Sequence, residues 1–346
     1  MDTLEVLRRL CGQNGPSGFE GPVVNEAAAL LRPFVDEVRV ERLQSVLGIR
    51  RCGKEGAKKL LLDAHLDEIG FLIMGIEDGF LRFRTLGGVD QRMLPARELT
   101  VLTDPPILGV VATKPPHLQG PGESDKSIPL DELYLDTGMS QEEAEQAVPI
   151  GTPAVYRAEV FPLGETKICG KALDDRACFA ILLRTLELLQ NEALDVDLYV
   201  LGSSCEEVGG RGAKTAVYDV APDFCVALDV TFGATPDEPK SKGRVMELGG
   251  GPVAGVGPVM ARWMTQRLRT KALTRNIPCQ LEVMSGSTGT NGDEFQIARE
   301  GIATAVLSLP LNYMHSPVEV IDRGDLEQTA QLLAAFIRDL GKEAPV

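Results

Sequence analysis

The amino-acid sequence predicts an α/β fold, in which an α/β domain formed by both ends of the chain is interrupted by an inserted β-rich domain. Three observations lead to this prediction. Residues 1–66 begin with helix and strand patterns, residues 67–163 contain short strands separated by Gly and Pro turns, and residues 164–346 alternate strands with helices. Alternation predicts a sheet sandwiched between helices, whereas regularly spaced short strands predict a small barrel or sandwich.

The two ends of the chain supply the elements of the α/β domain. Apolar residues recur at helical spacing over residues 4–11 and 21–34, and strands are predicted over residues 37–41 and 58–64. The later elements follow in the order helix 174–190, strand 197–202, helix 211–218, strand 224–228, helix 258–273, strand 280–284, strand 304–309 and helix 324–340.

The inserted segment has a different character. Its predicted strands cover residues 70–76, 80–84, 99–102, 107–112 and 133–135, and one short helix covers residues 140–147. Residues 119–127 are rich in Gly, Pro and polar side chains and have no periodicity, so they are predicted to form a loop.

Composition and charge exclude several classes of function. The chain of 346 residues has 35 Lys and Arg against 50 Asp and Glu, a formal net charge of −15. This acidic balance argues against nucleic acid or an anionic membrane surface as a partner, because both require clustered basic residues. The only histidines are His65, His117 and His315, and none lies four residues from another, which excludes a helical His-Glu-x-x-His zinc site.

The cysteines and the start of the chain indicate an intracellular protein. Seven cysteines, an odd number without any Cys-x-x-Cys pair, are expected to be reduced thiols. The first residues lack the pattern of a signal peptide, and no apolar run approaches the roughly 18 residues of a membrane span. We therefore expect a cytoplasmic location and no membrane partner.

Two of the motifs that could carry chemistry lie next to predicted strand or helix ends. His65 and Asp67 follow a buried strand and alternate to the same side, so one could bind a metal ion while the other orients it. Asp174 and Asp175 begin a predicted helix. Taken separately, these residues are better explained by a core histidine, a turn-forming Asp67 and a helix-capping Asp174.

Three further motifs follow predicted strands. Glu206 and Glu207 end an apolar strand, where ligands of open α/β sheets bind, and two such acids repel unless a cation lies between them or one is protonated. Asp229 ends another strand, and His315 lies in a loop after a third. Taken alone, the glutamate pair is equally consistent with a solvated turn. Asp229 alone is often a turn former, and a lone loop histidine such as His315 usually has no special role.

Taken together, the motifs indicate a site for two divalent cations. Two histidines and three or four carboxylates, with no zinc-finger spacing of cysteines, form a nitrogen and oxygen ligand set that suits Zn or Co better than Mg. Two such cations can activate one shared water and hold both the attacking and the departing oxygen of a hydrolysis.

The ordered set of motifs resembles the tetrahedral aminopeptidases, also called glutamyl or deblocking aminopeptidases. This is a family of dinuclear metallo-exopeptidases, some of whose members are labelled cellulase or endoglucanase. The resemblance runs through nearly the whole chain and comprises Ala-His65-Leu-Asp67-Glu-Ile-Gly, Leu-Gly-Gly-Val-Asp90, Lys-Pro-Pro-His-Leu, Leu-Tyr-Leu-Asp-Thr-Gly, Lys-Ala-Leu-Asp174-Asp-Arg, Glu206-Glu207-Val-Gly-Gly-Arg-Gly-Ala, Leu-Asp229-Val-Thr and His315-Ser-Pro-Val-Glu319.

The resemblance implies a role for each site residue. Asp174 would bridge two metal ions, with His65 and Asp229 completing one site and Glu207 and His315 the other. Glu206 would be the general base that takes a proton from a bridging water or hydroxide, and Asp67 would orient His65. It further implies a mixed-sheet catalytic domain over residues 1–66 and 164–346, and a PDZ-like barrel over residues 67–163 that drives dimerisation, with dimers assembling into dodecamers.

The chain departs from the family pattern at three places. Asn312 stands where the family usually has Arg, Asn291 replaces the Asp of a Gly-Thr-Asp-Ala motif, and residues 41–48 replace an Asp-x-x-Gly-Asn pattern. None of these positions is a proposed metal ligand, so they bear on substrate preference and assembly contacts.

The sequence thus favours a metal-dependent aminopeptidase acting on short peptides, with two Zn or Co ions per subunit, that forms homo-oligomers. Two other enzyme classes remain open at this point. Paired carboxylates also serve an endoglucanase-type glycoside hydrolase that needs no metal, and an N-acyl amino acid deacylase could use the same dinuclear site.

Overall fold

The computed structural model describes residues 1–118, 120, 127–238 and 245–340, and most of the loop predicted over residues 119–127 lies outside them. It contains a large mixed sheet with helices on both faces and a closed six-stranded barrel, which confirms the predicted fold class. Of the helices in the described residues, none combines the length and apolar character that a membrane-crossing segment requires.

The large sheet has eight strands with a parallel centre. In spatial order they are β1 (Glu37–Val40), β2 (Val46–Arg50), β12 (Val196–Ser203), β3 (Lys58–His65), β13 (Phe224–Phe232), β16 (Ala303–Leu311), β14 (Val253–Val256) and β15 (Gln280–Val283). Strands β12, β3, β13 and β16 run parallel, and the antiparallel pairs lie on either side of them. The carboxyl ends of four adjacent strands therefore meet at one edge of the sheet.

Helices cover both faces because the central strands are apolar on both sides. One core contains Leu60 and Leu62, whereas Leu61 belongs to the core on the opposite face, as the alternation of side chains along a strand requires. The first core is closed by α1 (Thr3–Cys11), α2 (Gly21–Leu31), α4 (Leu173–Leu189), α6 (Arg262–Thr274) and α8 (Arg323–Leu340). The second is closed by α5 (Arg211–Val220) and α7 (Gly292–Gln296).

The barrel forms a separate apolar core. Its strands close in the order β4 (Gly70–Glu77), β5 (Phe80–Leu86), β8 (Tyr134–Asp136), β7 (Ile107–Ala112), β6 (Glu98–Val101) and β9 (Pro153–Tyr156). Phe71 packs edge-on against both Phe83 and Tyr156 in its interior. Helix α3 (Gln141–Ala147) is the short helix that the sequence predicts, and Ser140 and Glu143 cap it reciprocally.

Several short strands were not predicted from the sequence. They are β2, β9, β14 and the three strands of a small antiparallel sheet, β10 (Phe161–Leu163), β11 (Lys167–Gly170) and β17 (Glu319–Asp322). Two boundaries differ from the prediction by four residues. Strand β13 continues past Asp229 because its pairing with β16 continues, and α6 begins only at Arg262 because the N–H of the extended Ala261 donates to Thr304.

A buried ion-pair cluster joins the segment that follows β3 to the start of α4. The ammonium group of Lys171 lies 2.6 and 2.7 Å from the two carboxylate oxygens of Glu68, and Arg176 Nη2 lies 3.3 Å from the same carboxylate. Arg176 is fully buried and also donates to the carbonyls of Leu66 and Leu10. This cluster holds the segment between β3 and the barrel against the start of α4.

Replacing Arg176 by Met should lower the free energy of unfolding by about 3–5 kcal/mol, because it leaves buried carbonyls unpaired and removes one of the two cations facing Glu68. Urea denaturation followed by circular dichroism measures the change. The matched control is Arg9→Met, which breaks the exposed ion pair of Arg9 with Glu26 and should shift the midpoint little. Equal midpoints for the two variants would contradict the proposed importance of the cluster.

Candidate metal centre

The residues singled out from the sequence gather at the carboxyl edge of the parallel strands. His65 is the last residue of β3, Asp229 lies in the last part of β13, and Glu206 and Glu207 follow β12. His315 lies in the loop after β16. Loops at this edge carry the binding sites of open α/β sheets, and here the positions come together although up to 250 residues separate them in the chain.

Asp174 lies between the two histidines. Its Oδ1 is 3.0 Å from His65 Nε2, and its Oδ2 is 3.3 Å from His315 Nε2. His315 Nε2 is also 3.2 Å from Glu207 Oε1. One ligand atom from each of His65, Asp174 and Glu207 lies within 4.8 Å of the others. A carboxylate that turns one oxygen to each imidazole has the arrangement of a bridging ligand.

A second group of potential ligand atoms shares His65. It consists of His65, Asp175 and Asp229, whose ligand atoms also lie within 4.8 Å of one another. Both carboxylate oxygens of Asp175 are buried and have no hydrogen-bond partner among the residues that the structure describes. Burial, followed by the charge of Asp175, raises the pKa of Asp229 well above its usual value. The charge of His65 lowers the pKa of Asp229 but does not compensate for its burial.

Asp67 joins the turn that carries Glu206 and Glu207 to the end of β3. Its two carboxylate oxygens accept the backbone N–H groups of Glu206 at 3.0 Å and Glu207 at 3.2 Å, and Oδ2 also accepts the Ser17 hydroxyl at 2.7 Å. His65 Nδ1 lies 3.1 Å from the backbone carbonyl of Asp67 and 3.5 Å from its Oδ1. A buried carboxylate in this place orients the imidazole and the turn together.

Glu319 performs a similar task on the other side of the site. It accepts the backbone N–H of Asp174 at 3.1 Å and that of His315 at 3.0 Å. Burial and the nearby Asp174 raise its pKa well above the usual range. Asp174 itself makes no side-chain cap on α4, and its backbone is non-helical, so the regular helix begins only at Arg176. The helix-capping explanation of Asp174 is therefore wrong.

The carboxylates of the site raise the pKa values of the two histidines and so favour positive charge among them. Burial lowers the pKa of His315, but its bonds to Asp174 and Glu207 outweigh this and raise the pKa to about 11. His65 behaves in the same way, since its bonds to Asp174 and Asp67 raise its pKa despite burial. Protonated imidazoles thus supply the positive charge that the carboxylates require. Imidazole nitrogen and carboxylate oxygen are also the ligands that Zn²⁺ and Co²⁺ accept, so the donor set fits such ions.

Glu206 differs from Glu207 in its surroundings. Burial raises the pKa of Glu206 to about 7, with His65 lowering it and Glu207 raising it further. No hydrogen bond or ion pair to its carboxylate appears among the described contacts of the site, whereas Glu207 contacts His315. A carboxyl group poised near neutral pH, and facing a cavity, has the properties of a general base.

The site opens into a cavity of about 520 Å³. Its walls include the proposed ligands and, further out, residues of the β13 end, of β15 and of the segment before α7. His117, by contrast, lies exposed in a short 3₁₀ turn after β7, away from this cavity, as expected for a histidine outside the site.

Three residues that hold the site in place were missed by the sequence analysis. They are the buried polar residues Ser17, Glu20 and Asp63. A fourth buried residue, Glu319, belongs to one of the sequence motifs, but the sequence assigned no role to it. Glu20 accepts the backbone N–H of Cys205 immediately before the glutamate pair. Only the burial of a polar residue distinguishes these positions, and a single sequence does not display burial.

The structure also locates two of the departures from the family pattern. Asn291 is buried and donates to Asp63 Oδ2 at 2.8 Å and to the Ser203 hydroxyl at 2.9 Å. An aspartate there would set a second carboxylate against Asp63, whose pKa is already raised to about 6 by burial. Asn312 pairs through its backbone with Val320 and is not among the residues found to line the cavity.

Comparison with known proteins matches this chain to aminopeptidases by family model, by sequence and by structure. The family model described as M42 glutamyl aminopeptidase matches residues 46–332. A lysyl aminopeptidase of Pyrococcus furiosus is 35% identical over 344 residues, covering 97% of each chain. The structure of aminopeptidase APDkam598 from Desulfurococcus kamchatkensis superposes with a TM-score of 0.91 at 37% identity, over 97% of this chain and 94% of that one.

A further solved structure is that of the TET1 peptidase of Pyrococcus horikoshii. It matches with a TM-score of 0.85 at 29% identity, over 98% of this chain and all of the other. That peptidase is described as able to assemble into a tetrahedron or a large octahedral shell.

Divalent cations should release protons when they bind to the metal-free protein, because the imidazoles of His65 and His315 are protonated near pH 7 and bind metal only when neutral. Calorimetric titration with Co²⁺ in two buffers of different ionisation enthalpy measures the number of protons released. The His315→Ala variant should release fewer protons. Equal heats in both buffers would contradict the protonation that the site geometry implies.

Proposed function

Because the chain belongs to the M42 glutamyl aminopeptidase family, and is therefore an aminopeptidase, we propose that it removes N-terminal residues from short peptides with two divalent metal ions, Zn or Co. The observation that carries this proposal is the position of Asp174, with one carboxylate oxygen turned to His65 and the other to His315. A single-metal site would not need a carboxylate placed in this way.

We assign the ligands in two sets that share Asp174. His65 and Asp229 complete one set, and Glu207 and His315 the other. The contact of Glu207 with His315 and the contacts of Asp174 with both histidines support this division. The grouping of His65 with Asp229 also supports it, although that group contains Asp175 as well. When bound, the two cations supply a polarised substrate carbonyl and a water of lowered pKa.

Glu206 is proposed as the general base. It takes a proton from the attacking water and delivers this proton to the departing amine of the peptide. Asp67 keeps Glu206 in place through the backbone N–H that it accepts, and orients His65 through the contacts to Nδ1. Asp67 therefore acts as a positioning residue, whereas Glu206 acts on the reacting atoms.

We also propose that the chain forms homo-oligomers, with a dimer as the building block and a dodecamer as the larger assembly. The support is the described assembly of the Pyrococcus horikoshii peptidase and the apolar surface of the barrel. Leu108 and Val110 of β7, together with Ile150, expose 43–63% of their surface there. Light scattering of the full chain distinguishes the dimer from the dodecamer.

The Glu206→Gln variant should lose about 10²- to 10⁴-fold in kcat while keeping its metal content, because glutamine preserves the shape of the side chain but accepts no proton. Turnover of a leucyl chromogenic substrate and elemental analysis give the two readouts. The neighbouring Glu207→Gln variant provides the comparison, since it should lose metal as well as activity. Wild-type turnover by Glu206→Gln with intact metal would refute the assignment of the base.

Removal of metal by a chelator should abolish hydrolysis of aminoacyl substrates, and added Zn²⁺ or Co²⁺ should restore it, because both ligand sets are needed for the reaction. The control is chelator already saturated with metal. Full aminoacyl activity after verified metal removal would contradict the proposed metal dependence. Cleavage of a glycoside substrate by the metal-stripped protein would favour the glycoside hydrolase alternative, whose carboxylates work without metal. Cleavage of N-acylated but not of free-amine substrates would instead indicate a deacylase.

A further inference from the structure

Cys205 has a backbone conformation that is unusual for a residue with a side chain. It lies immediately before Glu206, the proposed base, and its φ of 55° is in the left-handed region. This region is unfavourable because the Cβ atom comes too close to the neighbouring carbonyl oxygen. Residues in such conformations persist where the surrounding structure holds them, and they are concentrated at functional sites. The contacts that hold Cys205 therefore bear on the position of Glu206.

Glu20 is the carboxylate that holds Cys205. Its Oε1 accepts the backbone N–H of Cys205 at 3.0 Å and the Cys205 thiol at 3.3 Å. The same oxygen accepts the N–H of Gly18 at 2.8 Å. Glu20 has no exposed surface and is not among the residues found to line the cavity beside the candidate metal centre. Any effect of Glu20 on the reaction therefore passes through the turn that carries the base.

The bond from Cys205 is the first of three successive bonds in this turn. The backbone N–H groups of Cys205, Glu206 and Glu207 follow one another along the chain. The first donates to Glu20, and the other two donate to Asp67. Successive N–H groups converge on an anion when the backbone alternates between right-handed and left-handed conformations. A relaxed Cys205 would break this arrangement and change the direction in which the Glu206 side chain leaves the chain.

A second residue of the site has the same combination of features. His315 has a φ of 60°, and its backbone N–H donates to the buried carboxylate of Glu319 at 3.0 Å. On both sides of the site, a buried carboxylate thus holds a left-handed residue at or next to a proposed functional side chain. This repetition indicates that the bond to Glu20 serves the geometry of the site as well as the stability of the fold.

We propose that Glu20 is a positioning residue that holds Cys205 in the left-handed conformation and thereby directs the carboxylate of Glu206 towards the cavity. Glu20 itself takes no part in proton transfer. This inference rests on the proposed aminopeptidase function with Glu206 as its base, and it adds a residue of the N-terminal segment to the groups on which the reaction depends.

The first test removes the carboxylate and then the backbone strain. In the metal-loaded full chain, Glu20→Ala should lower kcat for leucyl p-nitroanilide about 10- to 100-fold, while KM stays within about 3-fold and the metal content is unchanged. Adding Cys205→Gly should raise kcat again by about 10-fold, because glycine adopts a positive φ without strain. The matched control adds Cys205→Ala instead, which removes the same thiol but keeps Cβ and should restore nothing.

Several results would overturn the proposal while leaving the aminopeptidase function intact. They are a wild-type kcat in folded Glu20→Ala, a loss that glycine does not reverse, and an equal recovery with glycine and alanine. Loss of metal from Glu20→Ala would also overturn it, because the defect would then lie in the ligands rather than in the base. Lack of aminoacyl hydrolysis by the wild type would refute the proposed function itself, and the role of Glu20 with it.

A second variant covers the case in which Glu20→Ala does not fold. Cys205→Val keeps Glu20 but places a β-branched residue at a positive φ, which such residues avoid. Its kcat should fall at least about 10-fold with unchanged metal content. The control is Asn276→Val, since Asn276 has a φ of 53° but is exposed and outside the cavity lining, and this variant should keep the wild-type kcat. A folded Cys205→Val with wild-type kcat would overturn the proposal.

Discussion

The mutual repulsion of buried carboxylates is the constraint on which the rest of the site depends. Asp174, Asp175, Glu206, Glu207 and Asp229 crowd one edge of the sheet, and no lysine or arginine among the described residues lines the space between them. Such crowding is unfavourable unless cations lie between the carboxylates or protons neutralise them. The raised pKa values of the histidines and of Asp229 follow from this constraint.

The surrounding structure holds these groups at short distance despite the repulsion. Asp67 and Glu319 each accept two backbone N–H groups from the segments that carry the ligands. Behind them, Glu68, Lys171 and Arg176 form the buried ion-pair cluster that fixes the start of α4. Asp67 and Glu68 therefore stabilise the structure, whereas His65, only two residues before Asp67, faces the cavity.

Much of the fold could be predicted because its elements are long and strongly patterned. The helices near residues 174–190 and 324–340, and the apolar strands leading to His65 and Glu206, all appear in the structure within a few residues of the prediction. The missed strands β14 and β17 have four residues each and pair with strands distant in sequence, and the missed hairpin of β10 and β11 has only three and four residues in its strands. The candidate ligands were identifiable because acids and histidines stand at the ends of apolar strands. Their placement around Asp174 was not, because it depends on the packing of distant segments.

By itself, the sequence determined the type of fold and the chemical nature of the site, because periodicity and residue type are local properties. It left each motif with a simple alternative, such as a helix cap for Asp174. Only the tertiary structure decided between these alternatives, since the parallel order of β12, β3, β13 and β16 brings His65 and His315 to opposite oxygens of one carboxylate. It alone also revealed that Asp67 and Glu319 each accept two backbone N–H groups around the site, because these bonds join segments that are far apart in the chain.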